Sequence, residues 1–178
     1  MRVIYLIGFM GSGKSTLGRA LAQTVPGCAF IDLDEEIERR AGMTIPQFFA
    51  LRGEEAFRAL EGETLRTLAV PAGADVCVVA TGGGTPCRPG AMTWMNSNGT
   101  TVLLRASTPV LLRRLLEAQE QRPLLRGMAP EEVERFIGSE QRRREPFYSQ
   151  ARHTFPSDLL ENSREIANSC NDFIDRFL

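Results

Sequence analysis

Apolar positions fall into two alternating rhythms along this chain. Short unbroken runs of strand length alternate with longer stretches whose apolar residues recur three and four apart. Val3 to Ile7, Cys28 to Ile31, Val76 to Ala80 and Thr101 to Leu104 are of the first kind, which suits strands buried on both faces of a parallel sheet. His153-Thr154-Phe155 is predicted as a short fifth strand. A helix is predicted from near Lys14, with Leu17, Ala20, Leu21 and Ala22 on its apolar side, ending at Pro26-Gly27. Further helices are predicted from about Glu35 to Arg40, stopped at Gly42, and from a Thr44 cap with Gln47 completing a capping box. Others are expected over Glu54 to Leu68 and Ala91 to Met95, from Thr108 as cap and Pro109 as first helical residue to about Ala118, from Pro130 toward Arg144, and from Arg164 to Phe177.

Strands alternating with helices predict an α/β fold with a parallel sheet covered on both faces. Ligands in such folds bind beyond the carboxyl ends of the strands. Three polar or glycine-rich segments follow predicted strands: Gly8 to Ser15, Asp32 to Asp34, and Thr81 to Gly84. They are expected to converge on one edge of the sheet.

The 178 residues fit one domain, and 43% apolar content argues against disorder. A net charge of -1 gives no reason to expect bulk nucleic-acid or membrane binding. Cys28, Cys77, Cys87 and Cys170 form no C-x-x-C pair, so zinc is not expected, and Cys28 and Cys77 read as buried thiols. This usage, with an N-terminal apolar run too short for a signal peptide, predicts a cytoplasmic protein.

One lysine, Lys14, stands against twenty arginines. It lies in Gly8-Phe9-Met10-Gly11-Ser12-Gly13-Lys14-Ser15, which fits the phosphate-loop pattern G-x-x-x-x-G-K-[ST] between a strand and a helix. A compact ammonium reaches between phosphates as a point charge, where a planar guanidinium fits differently. Gly11, Ser12, Gly13, Lys14, Ser15 and Thr16 are therefore candidates for holding ATP, with Ser15 a ligand for Mg²⁺.

The other motifs are open to two readings. Asp32 and Asp34 could divide work between metal and substrate, or cap the next helix. Gly82-Gly83-Gly84 could admit a ligand or another backbone, or form a loose turn. Arg58, Arg122 and Arg144 could be solvated charges, and Arg142 to Arg144 the basic end of a helix. The only histidine, His153, lies far from every motif, so any general base must be a carboxylate.

Together these pieces resemble the shikimate kinase family over nearly the whole chain. The resemblance rests on Gly8 to Thr16, Phe30 to Asp34, Gly53 to Arg58, Ala80 to Gly84, Arg122-Pro123-Leu124-Leu125, and Arg144 with Pro146-Phe147-Tyr148. It implies a three-layer P-loop NTPase fold, like that of nucleoside monophosphate kinases, with five parallel strands ordered 2-3-1-4-5. A shikimate-binding region is implied over about 32–62 and a mobile lid over about 117–130. The implied reaction is transfer of the ATP γ-phosphate to the 3-hydroxyl of shikimate. Asp34, Arg58, Gly82, Gly83, Gly84 and Arg144 would hold shikimate, with Asp34 the base. Arg122 would reach the nucleotide phosphates, and Asp32 would organise Mg²⁺ with Ser15. Lys14, Asp34 and Arg122 are then the catalytic candidates, in an enzyme expected to be monomeric. The chain departs from the family pattern seven residues before Arg122. Leu115 stands there in place of an arginine, with Arg113 and Arg114 just upstream, and the 156–163 loop matches weakly. A related small-molecule kinase such as a gluconate kinase, or a nucleotide-binding module without catalysis, are the competing readings.

Overall fold

The computed structural model describes residues 2–122 and 124–178. Five parallel strands form one sheet: β1 (Arg2–Ile7), β2 (Cys28–Asp32), β3 (Val76–Ala80), β4 (Thr100–Arg105) and β5 (His153–Pro156), in the order β2-β3-β1-β4-β5. Parallel neighbours need crossovers, and helices supply them. These are α1 (Lys14–Thr24), α2 (Leu33–Ala41), α3 (Ile45–Arg66), α4 (Ala91–Asn98), α5 (Thr108–Glu117), α6 (Pro130–Tyr148) and α7 (Ser163–Phe177). This is the P-loop NTPase arrangement expected.

Alternation along each strand sends side chains to two cores. Ile4, Leu6, Val76, Val78, Val102 and Leu104 pack with Leu17 and Leu21 of α1 and with Phe173 of α7. Tyr5, Ile7, Cys77, Val79 and Leu103 pack on the opposite face, against residues of α2, α3 and α4 and Tyr148 of α6. A third cluster, including Phe9, Leu111, Leu115, Leu125 and Ile137, joins α5 and α6 to the segment between them. No helix among the described residues is long and apolar enough to cross a membrane.

Several boundaries differ from expectation. The Thr44–Gln47 capping box is present, and the helices predicted on either side of Gly53 run together as α3, kinked where Gly53 adopts φ 78° and ψ 175°. In α5 the Leu111 amide reaches back to the Ser107 carbonyl at 2.9 Å, so Ser107 is the cap and Pro109 the second helical residue. Helix α6 does not stop near Arg144 but continues through Pro146 to Tyr148, and its last turn holds no basic residue. Arg144 is therefore buried within the helix rather than at a basic end. Cys77 is fully buried, whereas Cys28 is half-buried because β2 is an edge strand.

Candidate functional site

The phosphate loop leaves β1 and turns into α1. Gly8, Gly11 and Gly13 all have positive φ, the region that favours glycine, and this lets successive amides turn inward. The loop is also pressed against the sheet: a Cβ on Gly8 would lie 2.6 Å from the Leu104 carbonyl oxygen. Lys14 folds back into the loop. Its Nζ donates to the carbonyls of Gly8 and Phe9, each at 2.9 Å, with Ser12 Oγ at 3.5 Å. Burial pushes the Lys14 ammonium down to about 8, although Asp34 and Asp32 pull it up.

Asp32 ends β2 and serves both readings of the D-x-D pair. One carboxylate oxygen caps α2 by accepting from the Asp34 amide at 3.1 Å, and the other accepts from the Ser15 hydroxyl at 2.6 Å. A hydroxyl and a carboxylate in contact are hard oxygen donors, the kind Mg²⁺ takes. Among the described residues no cluster of three or more His, Cys, Asp or Glu could hold a metal by itself. The residues present fit an ion that takes most of its ligands from phosphates and water. Asp34 is the second residue of α2, in its first turn, and burial raises its carboxyl to about 6, with Asp32 adding to the rise and Lys14 opposing it.

Gly82 to Gly84 follow β3, and each glycine is approached closely by charged side chains, two at Gly82 and one each at Gly83 and Gly84. A Cβ on Gly82 would stand 3.1 Å from Asp34 Oδ1 and also from Glu61 Oε1. On Gly83 it would stand 2.9 Å from Arg144 Nη1, and on Gly84 3.2 Å from both terminal nitrogens of Arg58. None of the three has positive φ, so what favours glycine here is the close approach of side chains rather than backbone conformation.

Arg58 lies on α3 over the Phe57 ring and donates to Glu61 Oε2 at 3.0 Å. Glu61 is fully buried and accepts from Thr85 Oγ1 at 2.6 Å through its other oxygen. Tyr148 donates its hydroxyl to the Gly83 carbonyl at 2.7 Å, and burial pushes that phenol up to about 12, so it remains a donor. Glu61 was not singled out in the sequence, and Tyr148 entered only as the last residue of the Pro146-Phe147-Tyr148 segment, with no role of its own.

Lys14, Ser15, Thr16, Asp32, Asp34, Gly11, Gly13, Gly82, Gly83 and Arg122 line one cavity of about 330 Å³. Arg122 is half-buried there. Its Nε is buried without a hydrogen-bond partner among the described residues, and burial lowers its guanidinium pKa. Pro123, next in the R-P-L-L motif, lies outside the described residues. The segment around them is tied together by Gln119 Nε2, which donates to the Leu125 and Met128 carbonyls at 2.7 and 2.8 Å. Ser12 is fully buried within the loop and does not line the cavity. Arg58, Gly84 and Arg144 stand outside this cavity, the two arginines reaching the triplet at Gly84 and Gly83. A larger cavity of about 500 Å³, lined by Leu103, Leu111 and Tyr148 among others, contains none of the candidate site residues.

One charged residue of the lining, Arg114, was named in the sequence without being given a role. Arg114 donates to the carbonyls of Gly11, Ser157 and Asp158 at 3.0, 3.1 and 3.0 Å, and to Glu161 Oε1 at 2.7 Å. Leu115, the position singled out by counting back from Arg122, is fully buried against Gly11. Successive helical residues point about 100° apart, so one can face the cavity and the next the core. Leu111 and Leu115, four apart and apolar, were the signal that could have found this.

A family model described as shikimate kinase matches residues 10–175. The chain is 48% identical over 169 residues to the shikimate kinase of Phocaeicola vulgatus, covering 95% of this chain and 94% of that protein. It is 41% identical to the crystal structure of shikimate kinase from Bacteroides thetaiotaomicron, with a TM-score of 0.90 over 98% of this chain and 97% of the other. It is 30% identical to the shikimate kinase of Acinetobacter baumannii solved in complex with shikimate, with a TM-score of 0.80 over 100% and 96% of the two chains.

Proposed function

The chain belongs to the shikimate kinase family, and from that premise we propose that it transfers the ATP γ-phosphoryl group to the 3-hydroxyl of shikimate. One observation carries the reading. Beside a phosphate loop, three consecutive glycines admit a carboxylate and two guanidiniums in turn, Asp34, Arg144 and Arg58. That set suits a ligand with both hydroxyls and a carboxylate, since each guanidinium can grip a carboxylate bidentately.

The loop amides and the N-terminus of α1 hold the phosphates. Lys14 exchanges the Gly8 and Phe9 carbonyls for the outer phosphate oxygens. Ser15, with Asp32 through water, would hold Mg²⁺, which when bound neutralises charge on those oxygens. Asp34 accepts a hydrogen bond from the 3-hydroxyl and is placed to take its proton. Arg122, whose Nε has no partner among the described residues, offsets charge on the transferring group. Closure of the 117–130 segment excludes water and suppresses ATP hydrolysis. The proposal extends to a single-domain, monomeric, cytoplasmic enzyme acting on small molecules without nucleic acid or membrane, in keeping with its near-neutral charge.

An ADP-release assay with MgATP and either shikimate or gluconate tests this. Shikimate-dependent release is expected; turnover of gluconate alone, or nucleotide binding without turnover, would overturn it. The same assay tests Arg114. Cutting its bridges between Gly11 and the 157–161 segment, Arg114→Ala is expected to raise the ATP KM about tenfold while leaving the shikimate KM within about twofold. A shift in the shikimate KM alone would contradict that role.

A further inference from the structure

We propose that Glu140, which lies outside the phosphate loop, the lid and the acceptor set, is a positioning residue for acceptor binding. Its carboxylate fixes the Arg144 guanidinium so that one edge is left free for the acceptor's own carboxylate. The inference rests on the acceptor reading above.

A guanidinium has two edges that can each grip a carboxylate, Nε with one terminal nitrogen, or the two terminal nitrogens together. In Arg144 the first edge is taken: Nε and Nη2 donate to Glu140 Oε2 at 3.1 and 2.7 Å. The remaining nitrogen, Nη1, is buried and has no hydrogen-bond partner among the described residues. It is the nitrogen that comes within 2.9 Å of a Cβ built on Gly83. The Phe9 ring lies under the guanidinium, 5.1 Å from ring centroid to Cζ. A buried donor left unmatched costs stability unless a ligand satisfies it.

An exposed i,i+4 pair would merely decorate the helix, but this pair is not exposed. The Arg144 side chain is 9% accessible and that of Glu140 17%. Glu140 is itself held from outside by Arg143, through Nε at 2.9 Å and Nη2 at 2.7 Å. Four residues beyond Arg144 on the same helix face, Tyr148 fixes the Gly83 carbonyl. Residues 140, 144 and 148 thus form a stripe that sets both the guanidinium and the backbone facing it. With Glu140 removed, Arg144 can swing about its long side chain, and the free edge loses its aim.

Steady-state kinetics on Glu140→Ala and Glu140→Gln tests this, with shikimate and ATP varied separately and thermal melts confirming the fold. In Glu140→Ala the shikimate KM is expected to rise at least about tenfold, with kcat and the ATP KM within about threefold. Glu140→Gln should restore most of the loss, because an amide oxygen still accepts from Nε and Nη2. Should the alanine variant fail to fold, Glu140→Leu carries the same test with comparable bulk. An unchanged shikimate KM in the alanine variant would overturn the proposal. So would an equal rise in both variants, or a rise shared with the ATP KM. A wild-type protein inactive on shikimate would sink the acceptor reading and this inference together; an active wild type with an indifferent alanine variant sinks this inference alone.

Discussion

Replacing Lys14 with arginine is expected to lower turnover by at least about three orders of magnitude while preserving the formal charge. The ammonium sits in a closed nest, donating to two carbonyls at 2.9 Å. The loop cannot widen toward the sheet, because Gly8 is already against the Leu104 carbonyl. A guanidinium is wider, planar and directional, and it does not fit where a three-donor point charge does. Protonation adds a second effect. Burial brings Lys14 to about 8, so the ammonium can release its proton when no phosphate is present. Arginine keeps its charge at every working pH and bears the full desolvation cost. The variant should therefore melt below the wild type without nucleotide, and MgADP should recover part of the difference. Near-normal turnover in the shikimate-dependent assay would remove Lys14 from the chemistry.

Much of the fold was legible because burial on both faces writes itself into the chain as unbroken apolar runs. Val76 to Ala80 is such a run, and all five of its residues are buried. The end of α6 was misread for a physical reason. A proline removes one backbone donor and usually stops a helix, but Pro146 and Arg142, whose carbonyl loses its partner, both lie on the exposed face. The freed carbonyl is therefore open to solvent and need not be buried unsatisfied, and the helix continues far enough to bring Tyr148 to Gly83.

The site was legible where function needs a residue type at a fixed spacing, as in the phosphate loop, and less so where it depends on space. Three glycines announce a close approach without saying what approaches, and only the folded chain brings Asp34, Arg144 and Arg58 to Gly82, Gly83 and Gly84. Residues acting through another side chain were the least visible. Glu61 and Glu140 each pair with an arginine at helical spacing, three residues after Arg58 and four before Arg144. Such pairs are common on solvated helix faces. Here burial, which no local pattern records, makes the difference.

The Asp34→Asn variant is expected to lose activity and gain stability together. The amide keeps the size of the side chain but cannot take a proton, so kcat should fall by roughly 10²–10⁴-fold, the range general-base groups supply. The stability gain follows from burial, which raises the Asp34 carboxyl from 3.8 to about 6, with Asp32 adding to it and Lys14 opposing it. Between those values the folded protein holds this proton more tightly than the unfolded chain does. The wild type therefore loses stability as pH rises through that window, and above it the loss is complete. Asparagine has no such titration. The melting temperature of the variant minus that of the wild type should be small near pH 4, grow up to about pH 6, and stay level beyond. A site that keeps a carboxylate ionised where burial opposes it has exchanged stability for function. Melts of both proteins without nucleotide, at about pH 4.5 and about pH 7.5, read this directly. An asparagine variant melting below the wild type at the higher pH would mean that attraction to Lys14 outweighs burial, and that the carboxylate is held ionised by its ammonium neighbour instead of in spite of its surroundings.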